Sequence, residues 1–214
     1  MIKENQQPQL LIVSVKRIHG RAILTLSSGE TIHLPRAMLR ERPYKSGMPF
    51  DQLAFDRFIQ ERSYPFALEK AVSLLAARAR TEKEIVDSLK KNAYPEETIA
   101  KVMARLQASG YINDADFAAQ WMAARTSKGL GVRRIRMELR QKGVEQSEID
   151  QAISAVDENE LLNSAINAAQ KAARGKDLSS PTDKQKTLAA LVRRGYDFSI
   201  ARQAIQTLID SSQS

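Results

Sequence analysis

IRMELRQKGVEQSEIDQAISAV, residues 135–156, decides the fold because a related stretch stands on either side of it. Fifty residues earlier the chain reads IVDSLKKNAYPEETIAKVMARL (85–106), and 52 residues later it reads TLAALVRRGYDFSIARQAIQTL (187–208). Seven apolar positions match between the first two copies, whereas Thr187 and Ala201 weaken the third copy. A period of about fifty residues indicates a repeat protein in which each copy is one small structural unit.

Each copy is a pair of helical segments joined by a corner. The corners are Asn92-Ala93-Tyr94, Lys142-Gly143-Val144 and Arg194-Gly195-Tyr196, and glycine in two of them is typical of the left-handed residue that ends a helix. A further helix precedes the pair, since apolar residues recur at helical spacing from Ala67 to Arg80. Thr81 with Glu84 then forms a capping box, and Pro95 starts the next helix. The repeat is therefore predicted to contain three short helices.

The first 65 residues follow a different pattern. Apolar and β-branched residues at Leu10–Val15, Arg21–Leu26 and Thr31–Leu34 predict an antiparallel meander, and short helices are expected at Arg36–Arg42 and Asp51–Gln60. We expect a mainly α fold in which tandem three-helix repeats form an elongated curved body after a small β-containing N-terminal segment. The expected boundaries are 1–65 for the N-terminal segment and 66–112, 113–157 and 158–214 for the three repeats.

The composition restricts the class of protein. The 214 residues carry a formal charge of +8 with a pI of about 9.8, which favours a polyanionic partner: nucleic acid, an anionic membrane or an acidic protein surface. The alternative is a basic surface that serves only solubility. The lack of cysteine excludes disulfides and thiolate metal sites. Without a long apolar run or a signal-peptide pattern, we expect a cytoplasmic protein.

Residues 110–144 carry a more specific pattern than the repeat itself. It reads, in order, Gly110-Tyr111-Ile112-Asn113-Asp114, Phe117-Ala118, Arg125, Gly129, Gly131, Arg133-Arg134-Ile135, Glu138-Leu139 and Lys142-Gly143-Val144. This ordered set resembles the central repeat of the RecX family, the bacterial regulators of the RecA recombinase. The resemblance extends over roughly Phe66 to Ile209. Two departures are Asn113, where an acidic residue is common, and the polar stretch from Arg174 to Asp183 in the third unit.

The resemblance implies both a function and a partner. A member of this family is expected to bind in the groove of the RecA–DNA filament, to inhibit ATP hydrolysis and strand exchange, and to promote filament loss in DNA repair and the SOS response. It implies RecA as the partner with weak or supporting contact to DNA, no membrane contact, no cofactor and a monomeric chain. It also marks motif residues that maintain the fold: Gly110, Tyr111, Ile112, Asp114, Phe117, Gly131, Ile135, Leu139 and Gly143.

Basic residues are concentrated in the second repeat. From Gln120 to Gly143 seven basic residues stand against one acid, Glu138. On a helix from Val132 to Lys142, three arginines (133, 136 and 140) would share a face and Arg134 would lie off it. A set of guanidiniums on one face can pair with carboxylates or phosphates, and the alternative is a solvated helix face. The candidate filament-binding residues are Arg78, Arg80, Lys83, Lys90, Lys91, Arg125, Lys128, Arg133, Arg134, Arg136, Arg140, Lys142, Arg193 and Arg194.

The aromatic and glycine residues of this segment have structural interpretations. Phe117 and Trp121 lie four residues apart on a helix that begins near Asp114, its expected N-cap, so they are predicted to pack rather than to stack on bases. Gly129 and Gly131 are expected to form the turn into the arginine helix rather than a phosphate-binding loop, because no preceding strand or third glycine is present.

Two other classes of function remain open. One is a direct DNA-binding protein, transcriptional or architectural, which the charge and the short helical units would suit. The other is an enzyme that uses His19 and His33, the only histidines. Neither histidine has a partner at metal-ligand spacing or a nearby nucleophile motif, and no catalytic residue or metal ligand is assigned. The sequence therefore predicts binding rather than catalysis.

Overall fold

The structure is a computed structural model that describes residues 9–212. The N-terminal part contains three antiparallel strands in the order β1-β2-β3: β1 (Ile12–Ile18), β2 (Arg21–Leu26) and β3 (Thr31–Pro35). This confirms the predicted meander. Strand β1 runs three residues further than predicted, because Ile18 pairs with Arg21 across a tight turn in which Gly20 has a φ of +66°.

One face of the sheet forms the N-terminal core. Ala22, Leu24 and Leu26 alternate along β2 and are fully buried, whereas the residues between them are half-buried, as expected for a sheet with one covered face. Their cluster is closed by aromatic side chains from the segment that follows the sheet, Tyr44, Phe50 and Phe55. A 3₁₀ helix, Arg36–Arg40, connects the sheet to that segment.

Helix α1 (Gln52–Ala77) corrects the prediction of two separate helices at 51–60 and 67–80. Pro65 lies inside this helix, although proline removes a backbone donor and crowds the preceding turn. Helix α1 nevertheless continues through Pro65, because tertiary packing holds it on both sides. Phe55 packs in the sheet cluster, and Ala67 belongs to the core of the first repeat. The expected boundary between residues 65 and 66 thus lies inside one helix.

The first repeat is completed by α2 (Glu82–Lys91) and α3 (Glu96–Ala108). Thr81 caps α2 as predicted, its hydroxyl accepting a hydrogen bond from the Glu84 N–H at 3.3 Å. The corner residue Ala93 has a φ of +63°, so the left-handed corner forms here even without glycine. Gly110 ends α3 with a φ of +68°.

The second repeat contains α4 (Asp114–Thr126), α5 (Val132–Gln141) and α6 (Gln146–Ser154). The predicted N-cap of α4 was wrong by one residue. Asn113 is the cap, since its side chain accepts from the Asp116 N–H, and Asp114 is the first helical residue. The departure from the family pattern at Asn113 is therefore a capping residue, because asparagine caps a helix as well as aspartate does.

The third repeat contains α7 (Glu158–Ala172), α8 (Pro181–Arg193) and α9 (Phe198–Ser212). The polar stretch from Arg174 to Asp183 forms the connection between α7 and α8 and the first turn of α8. Thr187, which weakened the sequence repeat, is fully buried, and its hydroxyl donates to the Asp183 carbonyl at 2.9 Å. The hydroxyl is therefore satisfied inside its own helix, and the position remains a core position.

The apolar motif residues lie where the repeat predicts. Ile112, Phe117, Ile135 and Leu139 are buried, while Tyr111 is 67% exposed. By its contacts, the chain divides into two compact units, one ending at Ile112 and the other beginning at Asn113. Among residues 9–212, none of the helices combines the length and apolar composition that crossing a membrane requires.

Candidate binding surface on the second and third repeats

The start of α5 is held by the corner of the third repeat. The first N–H groups of any helix lack partners within that helix and must find them elsewhere. Here the Gly131 N–H donates to the Arg194 carbonyl at 2.9 Å, and the Arg133 N–H donates to the Gly195 carbonyl at 3.0 Å. The helix that carries four of the predicted arginines is therefore fixed at its N-terminus by a segment more than sixty residues away.

Two glycines allow this contact. A Cβ at Gly131 would lie 2.2 Å from the Gly195 carbonyl carbon and the Tyr196 nitrogen. A Cβ at Gly195 would lie 2.4 Å from the Arg134 nitrogen, and Gly195 also has a φ of +92°. Each glycine is thus required because another backbone approaches it closely. The corner pattern had identified Gly195 only as a residue that ends a helix.

The three arginines that the helical spacing places on one face of α5 each have a polar partner. Arg133 Nε lies 2.5 Å from Asp197, and an Arg136 amino nitrogen lies 3.2 Å from Asp150. Arg140 donates twice to the side-chain oxygen of Gln146, at 2.6 and 2.9 Å. We call Arg133, Arg136 and Arg140 the arginine face. The Arg133 side chain is 69% exposed, so pairing leaves the face accessible.

Another group of basic residues surrounds Glu138 and Trp121. Arg125 Nε lies 2.8 Å from Glu138, although its N–H is not aimed at the carboxylate, and Arg134 lies 3.5 Å from the other oxygen. The Trp121 ring N–H donates to Glu138 at 3.0 Å, and the Arg125 guanidinium lies 4.2 Å from the ring centre. Lys142 lies 4.5 Å from the same ring centre. Arg125 and Lys142 therefore support the packing of Trp121, and the Arg125 side chain is only 28% exposed.

The packing interpretation of Phe117 and Trp121 is confirmed. Phe117 is 7% exposed, and its ring lies against that of Trp121 with centroids 5.5 Å apart and an interplanar angle of 18°. Trp121 is half-buried against the core of the second repeat. Both rings are therefore occupied by protein contacts. Gly129 has a φ of +75° and Gly131 caps α5, so they form the predicted turn.

The predicted cations of the first repeat are mostly paired within that repeat. Arg78 pairs with Glu84 at 3.0 Å and Lys83 pairs with Asp87 at 2.8 Å. Lys90 lies 3.2 Å from Glu96, and Arg80 donates to the Leu74 carbonyl at 3.1 Å. Lys91 is exposed and makes no side-chain hydrogen bond or ion pair with the described residues. These five residues belong to the unit that ends at Ile112, and the other nine candidates belong to the second unit.

Three further cations lie at the third-repeat side of the second unit. Lys128 and Arg193 are exposed and have no side-chain polar partner within residues 9–212. Arg194 makes one long hydrogen bond, at 3.4 Å, to the Gly129 carbonyl. Sequence reasoning did not find Asp150 and Asp197, the acids that pair with the arginine face. No local pattern could reveal them, because Asp197 meets Arg133 only when two repeats pack together.

Two corner tyrosines are buried at equivalent positions. Burial raises the pKa of Tyr94 to about 12 and also raises the pKa of Tyr196, although the hydrogen bond between Tyr196 and Ser164 opposes the second shift. Both hydroxyls therefore stay protonated at neutral pH. His19 and His33 are exposed, in the β1–β2 turn and on β3. In the described part of the chain, no three His, Asp or Glu side chains come together where they could hold a metal ion.

Comparison with known protein families finds three matching models in succession. They describe the first, second and third three-helix domains of RecX, and they match residues 67–106, 113–153 and 158–205. The second and third matches begin with the first helix of their repeat, whereas the first match begins inside α1. The third copy, which the sequence repeat supported least, is thus matched as well.

Curated relatives resemble the chain over most of its length. The regulatory protein RecX of Mycobacteroides abscessus is 34% identical over 213 residues, covering 98% of this chain and 96% of the relative. The regulatory protein RecX of Mycolicibacterium vanbaalenii is 35% identical over 136 residues, or 60% of this chain and 74% of the relative. That of Levilactobacillus brevis is 29% identical, covering 93% of this chain and 76% of the relative.

Solved structures with the same fold carry the same family name. A crystal structure of a regulatory protein RecX superposes with a TM-score of 0.61 at 23% identity, covering 89% of this chain and 96% of the other. The crystal structure of RecX from Lactobacillus salivarius gives a TM-score of 0.64 at 22% identity, covering 68% of this chain and 96% of the other. At these identities the structures support the fold.

Proposed function

The chain belongs to the RecX family of regulatory proteins, and from this membership we propose that it regulates the RecA recombinase by binding the RecA–DNA filament. The proposed effect is inhibitory: it binds in the filament groove, slows ATP hydrolysis and strand exchange, and promotes loss of the filament in DNA repair and the SOS response. It acts in the cytoplasm as a monomer, by binding rather than by catalysis, without a cofactor.

The observation that carries the proposal is the arginine face. Arg133, Arg136 and Arg140 lie on one side of a helix whose start is fixed by Gly131 and Gly195. A fixed helix presents its guanidiniums in a defined spacing, so less conformational entropy is lost when they bind a partner. The planar guanidinium suits both the carboxylates of a protein surface and the phosphates of bound DNA.

The internal partners of the arginine face do not prevent such binding. Exposed ion pairs contribute only about 0–1 kcal/mol, because water screens them and two side chains must be held in place. Asp197 and Asp150 are 41% and 50% exposed. A partner that offers several anionic groups at once can therefore replace them at low cost. In the absence of a partner, Asp197 and Asp150 keep the side chains of Arg133 and Arg136 ordered.

The test is a titration of RecA ATP hydrolysis on single-stranded DNA. We expect the wild-type protein to lower the rate at near-stoichiometric amounts, and the R133Q/R136Q/R140Q variant to require about tenfold more protein for the same effect. Glutamine is preferable to glutamate because a new acid would face Asp150 and Asp197. An unchanged ATPase rate with the wild-type protein at stoichiometric amounts would contradict the proposed function.

The control for that variant removes the same charge elsewhere. Lys45, Arg57 and Lys184 are exposed and make no side-chain ion pair with the described residues. The K45Q/R57Q/K184Q variant should inhibit RecA as the wild type does. Equal loss in both triple variants would indicate an effect of net charge rather than of the arginine face. Circular dichroism should show unchanged helix content in both.

A second candidate function is direct binding to DNA in the absence of RecA. The exposed, unpaired cations Lys128 and Arg193 favour it, since both are available to phosphates without rearrangement. Binding of this kind weakens steeply with salt. A protein that binds DNA at low salt but leaves RecA activity unchanged would support this candidate over the first.

A further inference from the structure

A polar cavity lies between the second and third repeats, on the α7 side of the contact that holds α5. Its volume is 210 Å³, about seven times the ~30 Å³ that one water molecule occupies in the liquid. It is open to solvent at one side. The residues that line it are Thr126, Ser127, Lys128, Gly129, Glu160, Asn163, Ser164, Asn167, Ala168, Lys171 and Arg194.

Three cations reach this cavity from three separate elements. Lys128 stands in the loop after α4, Lys171 is on the last turn of α7, and Arg194 is the residue that ends α8. Glu160 is the one carboxylate in the lining. Lys128 and Lys171 make no side-chain hydrogen bond or ion pair with the described residues, and Arg194 makes only its long bond to Gly129. The lining therefore carries an excess of positive charge that the protein itself does not neutralise.

Uncharged polar residues complete the lining. The Thr126 hydroxyl has no hydrogen-bond partner among the described residues, but it is shielded from water and lies beneath the cavity surface. The side-chain amides of Asn163 and Asn167 add further donors at the rim.

The backbone of the glycine turn does not take part. The N–H groups of Gly129, Leu130 and Gly131 already donate to the carbonyls of Thr126, Arg125 and Arg194. A backbone phosphate-binding loop of the kind that glycines often form is thus excluded here. Any anion in the cavity would be bound by side chains, which recognise charge and oxygen position rather than a nucleotide.

We propose that this cavity binds a phosphate group of the DNA backbone. A tetrahedral phosphate has acceptor oxygens that point in several directions, which matches donors arriving from three elements. The lining has three cations and one acid, Glu160, so its charge favours an anionic group. Contact with phosphate carries no base information, and the binding should therefore be independent of sequence. The proposal locates the supporting DNA contact and rests on that part of the proposed function.

The experiment measures DNA binding by the full chain without RecA. Fluorescence anisotropy of a labelled oligothymidylate is followed for the wild type, for K128Q/K171Q and for the charge-retaining K128R/K171R, between about 50 and 200 mM salt. We expect K128Q/K171Q to bind about tenfold more weakly, with a slope of log affinity against log salt that is smaller by about 0.7 per phosphate lost. K128R/K171R should bind within about twofold of the wild type.

The matched control is K45Q/K184Q, which removes two exposed lysines from outside the cavity. Its affinity should stay within about twofold of the wild type. An equal loss in K45Q/K184Q and K128Q/K171Q would overturn the proposal, as would an unchanged affinity in K128Q/K171Q or no binding by the wild type. The RecA titration is a separate test. DNA binding at the cavity can be disproved while inhibition of RecA is observed, and inhibition of RecA can be disproved while the cavity binds DNA.

Experiments with inorganic phosphate distinguish a cavity that binds the DNA backbone from one that binds only the free ion. It should compete with the oligonucleotide for the wild type more strongly than potassium chloride of the same ionic strength. Calorimetric binding of inorganic phosphate by the wild type, together with unchanged oligonucleotide affinity in K128Q/K171Q, would mean that the cavity takes only the free ion. That result would overturn the assignment to the DNA backbone.

Discussion

Helices α2 and α5 occupy equivalent positions in successive repeats, but their N-termini are satisfied in different ways. Helix α2 is capped within its own repeat by the Thr81 hydroxyl, which accepts from the Glu84 N–H. At the matching position α5 has Gly131, which has no side chain to cap it, and carbonyls of the third-repeat corner accept hydrogen bonds instead. The start of α2 is thus stabilised locally, whereas that of α5 depends on the third repeat.

The charged side chains of the two helices also differ in whether their partners are local or distant. Helix α2 exposes Lys83 and Asp87 as a pair within the helix, and its charges balance. Helix α5 has four arginines and one acid. Its arginines find partners within α5, on α6 and at Asp197, the residue before α9. The same repeat therefore supports a self-contained helix in one copy and a helix that links two copies in the next.

The largest expected effect is that of G131A, which would break the link. The new Cβ would lie 2.2 Å from backbone atoms that cannot move without displacing the corner. We expect a loss of about 3 kcal/mol in the stability of the second unit. Fluorescence of Trp121, the single tryptophan, reports on this unit during urea unfolding. A urea midpoint of G131A equal to that of the wild type would show that the contact between residue 131 and the Gly195 corner does not require glycine.

A smaller loss is expected for G195A, in which two causes can be separated. Any side chain at a φ of +92° is strained by about 1 kcal/mol. The overlap with Arg134 should add about 1 kcal/mol. Gly175 provides the control, because it has a φ of +71° and open space around its Cβ position. If G195A and G175A destabilise the protein equally in urea, the close approach contributes nothing.

The smallest effect is expected for T81A, which removes the local cap of α2. Loss of a side-chain cap costs about 1 kcal/mol. Hydrogen exchange should show faster exchange of the first amides of α2, with the amides at the start of α5 unchanged. T81S keeps the hydroxyl and should retain most of the protection. Equal effects of T81A on α2 and α5 would show that the two helix starts are not independent.

Much of the fold could be predicted from the sequence because the signals are local. The corner positions follow from glycine and from matching apolar residues, and even Ala93 takes the left-handed conformation that the repeat requires. The exception is α1, which the sequence predicted as two separate helices. Packing of the helix against two cores outweighs the local cost of Pro65 in its interior. The cap of α4 lies at Asn113 rather than at the predicted Asp114, a difference of one residue. Such a difference arises because neighbouring polar residues compete to cap the same helix.

The candidate site was less predictable than the fold. Spacing placed Arg133, Arg136 and Arg140 on one face, but it could not show that Asp197, Asp150 and Gln146 would pair with them. The sequence did not predict Lys171 as a binding residue, because nothing in its local sequence distinguishes it from other helical lysines. Its role depends on the packing of two repeats, which places it in one cavity with Lys128 and Arg194.

The sequence by itself determined the three-helix repeat, the bounds of most helices and the excess of positive charge. These depend on helical periodicity, capping and the conformational freedom of glycine, which act over a few residues. Only the tertiary structure decided which cations are neutralised, what caps α5 and where the polar cavity lies. The cap of α5 and the cavity join residues about forty to sixty-five positions apart, and no local pattern specifies which distant groups will meet when the repeats pack.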